Sequence, residues 1–504
     1  MHILFIYPNL HAQIGFNYGV AILSGILKQD GHTTSLLNIN EQLGYPFDLG
    51  RIMDDIAKCK PDVIAFSLVT PQFQYAEKIA SEIRKHYTIP IICGGIHATV
   101  ATDEVMATGL FDVVFVGEAD YAIREYMRVL EHGGDLEAVP NICFRKNGSI
   151  VKNRVMPFVP LETLPPKDYD IFDFQKMIDA KNGWVGLMAS RGCPFRCTYC
   201  FNHQIVERYS KDLGVPAAQL GYIRHHPLRD LLEEIRFLLS RYRNIKMFIF
   251  DDDLFTFNRD YVLEFCKEYP RLSNIPFVVN AHVQVFDATV AQSLKKANCR
   301  IVKFGLESGS ERVRRVVMKR MMKNDTIRRA LSIAEDAGLH SSVFVMVGLP
   351  TETRDEVLET IQLIADTKPG RFRWTAFYPF PGTVAWEMSK KMGFIDEKKM
   401  SSLSNFTDDS CLDFGSEHNL WLAKVLKIFP WYVNARSGFA CASTYQHLVR
   451  DVEAMNEQQW SKASALIRAR DAAHARTAEA AGQLHYAIRY NPFMAVRSDW
   501  NDEM

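Results

Sequence analysis

Cys193, Cys197 and Cys200 stand in Ser190-Arg191-Gly192-Cys193-Pro194-Phe195-Arg196-Cys197-Thr198-Tyr199-Cys200, a C-x-x-x-C-x-x-C spacing. Thiolates are the ligands that iron–sulfur clusters take, and a complete four-iron cluster normally takes four of them. Three from one loop would hold three irons of a 4Fe–4S cluster and leave the fourth iron open to another ligand. Zinc is the competing reading. It wants a fourth Cys or His, and His203 follows shortly after Cys200. Three unrelated buried thiols are the remaining alternative. The other cysteines, at 59, 93, 143, 266, 299, 411 and 441, are scattered singly. They form no disulfide framework, so a reducing, cytoplasmic setting is expected.

Those thiols need a scaffold, and the surrounding pattern supplies one. Residues 1–135 alternate strand and helix. Ile3-Leu4-Phe5-Ile6-Tyr7 is a continuous apolar run, as in a strand buried on both faces. Further strands are expected at 35–37, 63–66, 91–93 and 113–116, with helical stretches between them. The fold class that follows is α/β, beginning with a Rossmann-like doubly wound parallel sheet whose ligands sit at the strands' carboxyl ends. Residues 136–180 hold Pro140, Pro157, Pro160, Pro165 and Pro166 and read as a linker, with one hairpin signalled by Lys146-Asn147-Gly148-Ser149.

A second series of six strands, near 185–188, 247–250, 277–280, 301–304, 343–347 and 372–376, fills 181–395. Helical patterns lie between them, including 228–242, 310–320 and 355–367. Six βα units in this length predict a partial (β/α)6 TIM-like barrel, with a second open sheet as the alternative. The cysteine loop follows its first strand. Residues 396–504 read as a mainly helical C-terminal region and a candidate substrate-specificity element. Within it, the aromatic segment 420–432 is expected to pack on the barrel, with lining a pocket for an apolar substrate or touching a membrane surface as the alternatives.

The cysteine segment, with aromatic Tyr199 before its last cysteine, resembles the radical S-adenosylmethionine (SAM) family. That resemblance implies that the open iron binds the amino and carboxylate groups of SAM. It implies SAM contacts for Tyr199, for Asp252 in Phe250-Asp251-Asp252-Asp253, and for Glu307 and Ser308 in Gly305-Leu306-Glu307-Ser308-Gly309-Ser310. Capping of the following turn or helix is the plainer reading of Asp252 and Ser310. Loops 347–353 and 378–383 would line the adenine pocket and close the site.

The first domain lacks G-x-G-x-x-G, so no dinucleotide turn is present. Its strand ends carry Ser67-Leu68-Val69-Thr70, Gly94-Gly95-Ile96-His97 and Val116-Gly117-Glu118. This ordered set resembles the cobalamin-binding domain joined to radical SAM enzymes, and implies cobalamin contacts from Ser67, Thr70, Gly94, Gly95 and Glu118. Methionine-synthase-type domains carry D-x-H-x-x-G, whose His ligates cobalt. Here Asn9-Leu10-His11-Ala12-Gln13-Ile14-Gly15 departs from that pattern, leaving His11 a candidate ligand and a surface histidine its alternative. Methylthiotransferases hold a second cluster on three cysteines of this domain, but Cys59, Cys93 and Cys143 are misplaced for that.

The cobalamin-dependent radical SAM family, over residues 1–390, thus implies three cofactors: a 4Fe–4S cluster, SAM and cobalamin. The expected reaction is reductive cleavage of SAM to a 5′-deoxyadenosyl radical, hydrogen abstraction, and methylation of an unactivated carbon of a small-molecule or lipid-like substrate. A radical cyclase of the anaerobic porphyrin type, without methyl transfer, is the alternative; a non-catalytic cobalamin or redox sensor is a third. A flavodoxin or ferredoxin would supply electrons. The 504 residues carry 59 Lys plus Arg against 59 Asp plus Glu, so no electrostatic case exists for nucleic acid. No apolar run is long enough to predict a transmembrane segment.

Overall fold

The computed structural model describes residues 1–402 and 409–500. The chain separates into two compact units: Met1–Phe195 with Cys200–Met247 and Phe380–Thr383, and Arg196–Tyr199 with Phe248–Pro379 and the chain from Val384.

In the first unit, β1 (His2–Pro8), β2 (Thr33–Ile39), β3 (Val63–Ser67), β4 (Ile91–Gly94) and β5 (Val113–Phe115) form the parallel part of a sheet ordered β2-β1-β3-β4-β5. Their apolar runs are buried because crossover helices cover both faces. Leu4, Ile6, Ile64, Ile91 and Val114 are all fully enclosed. Strand order reverses at β1, which pairs with β2 on one side and β3 on the other; such a switch point opens a crevice at the strands' carboxyl ends.

The segment expected to be a linker adds two strands, β6 (Ile142–Lys146) and β7 (Ser149–Lys152), antiparallel on the edge beside β5. Asn147 and Gly148 have φ of 51° and 81°, the left-handed pair that a two-residue hairpin turn requires. The chain then enters β8 (Trp184–Leu187) and the short antiparallel pair β9 (Ser190–Arg191) and β10 (Arg224–His225).

In the second unit, β11 (Met247–Phe250), β12 (Phe277–Ala281), β13 (Cys299–Glu307), β14 (His340–Val347) and β15 (Arg371–Ala376) run parallel, each beside the next in chain order. The C-terminal region is helical as expected but also contributes β16 (Tyr486–Ile488) and β17 (Met494–Arg497), of which β17 pairs antiparallel with β15 and β16 with β17. The aromatic segment 420–432 lies in the helix Ser416–Arg436. Its apolar side chains are spent inside the fold rather than at a membrane surface. Trp374 Nε1 donates to the Leu426 carbonyl at 2.7 Å, and Trp374 stacks on Phe429 with ring centres 5.5 Å apart. Among the described residues, no helix is long and apolar enough to cross a membrane.

Strand alternation gives each of these strands an outward and an inward face. Val302, Phe304, Val343, Val345, Phe372 and Trp374 are fully buried or nearly so. The intervening Lys303, Gly305, Glu307, Phe344, Met346, Arg373 and Thr375 are only partly buried, so one side chain in two along these strands turns toward the barrel lumen.

Candidate functional site

Within the first unit, a cavity of about 420 Å³ spans the carboxyl ends of β1, β3, β4 and β5. Phe5, Leu68, Val69 and Ile123 give it apolar walls, and Ser67, Gly94, Gly95 and Glu118 all line it. Its volume falls in the range of small-molecule sites. It is smaller than a whole corrinoid, so it fits a cofactor's flat, largely apolar tail rather than the complete ring.

The two glycines do different jobs. Gly95 has φ of 98°, and a Cβ there would stand 2.6 Å from the Leu68 carbonyl oxygen, so close backbone packing demands glycine. A Cβ at Gly94 would meet only Phe115, at an ordinary 3.5 Å, so what its missing side chain preserves is cavity space. The Ser67 hydroxyl accepts from Asn17 Nδ2 at 2.9 Å.

Thr70 is absent from the cavity lining; its hydroxyl lies 3.2 Å from Nδ1 of buried His97. Burial pushes the His97 imidazole down to about 4, which keeps the ring neutral. His11 does not join the set. It stands exposed on the loop after β1, with φ of 52° and its Nδ1 3.4 Å from Glu41.

Glu118 is held from behind. Arg224 donates to both carboxylate oxygens, and Arg191 Nη1 lies 3.2 Å away. Arg191 in turn forms a two-pronged pair with Asp120 at 2.7 and 3.2 Å. The Glu118 amide donates to the Tyr209 hydroxyl at 3.0 Å. This bidentate network ties the β5 end to β9 and β10, the short strands that flank the cysteine segment. It is invisible in sequence because its members are far apart along the chain.

The loop between β9 and the helix Phe201–Leu213 carries the three cysteines, and Cys200 caps that helix. Cys197 is buried, while Cys193 and Cys200 are partly exposed. Among the described residues, no three His, Cys, Asp or Glu side chains converge as a ready-made metal site. The fit to an iron–sulfur cluster therefore rests on donor chemistry, three thiols on one short loop. His203 Nε2 is paired instead with Glu207 at 3.1 Å.

In the second unit, Cys197 and Tyr199 meet Arg320 beside the end of β13. Arg320 Nη1 lies 3.5 Å from Cys197 Sγ and 3.4 Å from the Tyr199 hydroxyl, while Nη2 donates to the Gly305 carbonyl at 2.6 Å. Glu307 joins them with a left-handed φ of 67°. Burial raises its carboxyl, an effect that the Arg320 charge and the Tyr199 hydroxyl oppose. Burial drives the Tyr199 phenol well above its usual range, and Glu307 adds to the effect. A Cβ on Gly305 would collide with the Glu307 carboxylate, so glycine there makes room for this cluster.

Asp252 is fully buried at the end of β11, and its carbonyl accepts from Asn280 Nδ2 at 2.7 Å. Ser308 is also fully buried, with its hydroxyl 3.3 Å from that of Thr360 and accepting from the Ser310 amide at 3.2 Å.

The helix expected over 310–320 is a short turn whose Val313–Val317 segment is π-helical, a form common at functional sites. The cysteine loop explains it. The Thr198 hydroxyl donates to the Val317 carbonyl at 2.6 Å, its amide to Met318 at 3.1 Å, and its carbonyl accepts from Ala385 at 3.0 Å. Thr198→Val keeps the shape but leaves the Val317 carbonyl unpaired. A loss of roughly 1–3 kcal/mol is expected, read as a lower midpoint in thermal unfolding together with reduced iron retention.

In the loop after β14, Glu352 Oε2 accepts from the Gly348 and Leu349 amides at 2.7 and 3.2 Å, while Oε1 is buried without a partner. Burial pushes this carboxyl up to about 8. The folded state therefore holds its proton more tightly than the unfolded chain, whose value is near 4.5. The associated stability is present below about pH 4.5 and is lost as pH rises through about 8. Thermal melts from pH 6 to 9 should show the wild type losing stability relative to Glu352→Gln, which mimics the protonated form; parallel curves would refute this.

Residues 11–127 match the family model of the B12 binding domain, and residues 187–364 match that of the Radical SAM superfamily. The uncharacterized methyltransferase PH0819 of Pyrococcus horikoshii is 26% identical over 376 residues, spanning 73% of this chain and 77% of its own. The anaerobic magnesium-protoporphyrin IX monomethyl ester cyclase of Rubrivivax gelatinosus is 25% identical over 443 residues, or 82% and 75%. The fold is similar to that of the cobalamin-dependent SAM radical enzyme OxsB, with a TM-score of 0.67 at 14% identity over 90% of this chain and 71% of that one.

A doubly wound sheet with a cavity at its switch point, followed by a parallel barrel-type series behind a three-cysteine loop, defines an α/β enzyme built for two large cofactors. The chain joins a B12 binding domain to a Radical SAM domain, and these two domains imply cobalamin, a 4Fe–4S cluster and SAM as its cofactors.

Proposed function

We propose that this enzyme methylates an unactivated carbon of a small-molecule substrate. The observation that carries the proposal is the presence, in one chain, of the ligand-sized cavity at the β1–β3 switch point and the cysteine loop backed by Arg320, Tyr199 and Glu307. Its relatives include a methyltransferase and the magnesium-protoporphyrin cyclase, and the first supports the reading.

When bound, the cluster with SAM supplies a radical able to break a non-acidic C–H bond, and cobalamin supplies the methyl group. The chain's own residues supply position. Cys193, Cys197 and Cys200 hold the cluster, and Thr198 fixes their loop. Tyr199, Asp252 and Glu307 face SAM, with Arg320 setting the charge beside Cys197. Ser308 acts through the backbone it braces. Ser67, Gly94 and Gly95 shape the tail pocket; Glu118 anchors its wall, and Thr70 orients His97 behind it. His11, exposed and paired with Glu41, is left outside cobalt ligation. The enzyme works in the cytoplasm and takes its electrons from a small reductant such as flavodoxin or ferredoxin.

Counting products separates methylation from the cyclase reading. Anaerobic turnover with cell-extract metabolites should give one S-adenosylhomocysteine for each 5′-deoxyadenosine and a product heavier by one methyl group. Deoxyadenosine without S-adenosylhomocysteine would favour cyclisation and overturn methyl transfer.

A further inference from the structure

The inward faces of β13 to β15 carry a charge pattern that the cofactor sites leave unexplained. Register places Lys303, Ser342 and Arg371 in one layer across the three strands, and Gly305, Phe344 and Arg373 in the next. Lys303 and Arg371 each engage other groups of the fold, which leaves Arg373 as the cation to explain. The only carboxylate at an inward strand position among the described residues is Glu307, two residues beyond Gly305 and already engaged with Arg320 and Tyr199.

Arg373 is the informative member. Its neighbours Phe372 and Trp374 face outward, against Phe429 and the Leu426 carbonyl, so alternation turns Arg373 into the lumen. There the guanidinium lies 5.6 Å over the Phe344 ring, and its Nε meets the sulfur of Met494 at 3.4 Å. Thioether sulfur is a weak acceptor. Among the described residues no carboxylate pairs with Arg373, and burial alone lowers its guanidinium from its ordinary value. A charge withdrawn from water without a partner is costly, and buried charges are as a rule paired. The surroundings also specify the ligand's body, because Phe344 and Met346 offer apolar surface in the same lumen.

We propose that Arg373 receives an anionic group, carboxylate or phosphoryl, of a substrate whose apolar part lies along Phe344 and Met346. A guanidinium binds both oxyanions through paired N–H donors. The inference rests on the reading of this barrel as the substrate chamber of a radical enzyme, and it adds the class of molecule that enters.

The test uses the full-length protein reconstituted with cluster and cobalamin, and calorimetric titration with phenylphosphonate, phenylacetate and neutral benzyl alcohol. At least one anion should bind saturably at one site, and the alcohol should not; which anion binds more tightly tells phosphoryl from carboxylate. Arg373→Met should weaken binding by about tenfold or more, Arg373→Lys by less, and Arg300→Met, at an exposed position on β13, not at all. Iron and cobalamin content of each variant certifies its fold. The proposal is overturned if neither anion saturates the wild type or if Arg373→Met binds as well as wild type. It also falls if that variant loses SAM affinity while keeping the anion. Reductive SAM cleavage by the wild type is scored separately, so loss of the radical reading and loss of the anion site give different results.

Discussion

Replacing Cys193, Cys197 or Cys200 singly by alanine should abolish the iron–sulfur chromophore and reduce 5′-deoxyadenosine formation by on the order of 10³-fold or more, the scale for removing one member of an interdependent catalytic unit. The cause is ligand count. Three thiolates already leave one iron open, and with two the cluster loses its hold on a second. Cys197→Ala should be the most severe. Its sulfur is buried and receives Arg320 Nη1 at 3.5 Å, so the variant also leaves a guanidinium facing an empty space. Cobalamin content should stay at the wild-type level in all three, because the tail cavity lies among the strands of the first unit. Anaerobic visible spectra, iron and cobalt analysis and product chromatography read all of these effects. A variant that keeps its iron and its deoxyadenosine yield would remove that cysteine from the ligand set.

The second large effect is expected at Gly94. Leucine there should fit the backbone, since Gly94 has no left-handed φ and its Cβ would make only an ordinary contact with Phe115. The rest of the side chain would occupy the cavity. Cobalamin affinity should fall by about 100-fold or more, as expected when a ligand's apolar group loses its pocket at a few kcal/mol, while iron content is preserved. Gly94→Ala should bind nearly as wild type. Gly95→Ala should instead lower thermal stability, because its Cβ meets the Leu68 backbone. Equal cobalamin binding by the leucine variant would place the cofactor elsewhere.

Much of this arrangement was legible in the sequence, and the reasons are local. Buried parallel strands are short apolar runs, so β1, β3 and β11 to β15 announce themselves. The cysteine spacing needs no tertiary information. Asn147-Gly148 marks its hairpin because few residues tolerate that turn.

What was not legible depends on partners far along the chain. The spacing of Ser310 to Arg320 suits an ordinary helix; the π-helical turn forms where its carbonyls meet Thr198, 119 residues away. Glu118 looks like a free ligand group until Arg224, 106 residues later, is seen gripping it. The strands β16 and β17 are three and four residues long and make sense only against the edge of β15. Arg373 stood in plain view as a single cation inside an apolar strand. Its significance lay in the missing carboxylate, which only the register across β14 and β15 and the packing around it reveal.

The central claim, that one chain joins a radical-generating cluster to a cobalamin domain, has a direct test in the metal content and chemistry of the anaerobically reconstituted protein. About four irons and one cobalamin per chain are expected, and 5′-deoxyadenosine once SAM and a strong reductant are added. Protein that binds zinc instead of iron, or that holds iron yet leaves SAM intact under reduction, would contradict it.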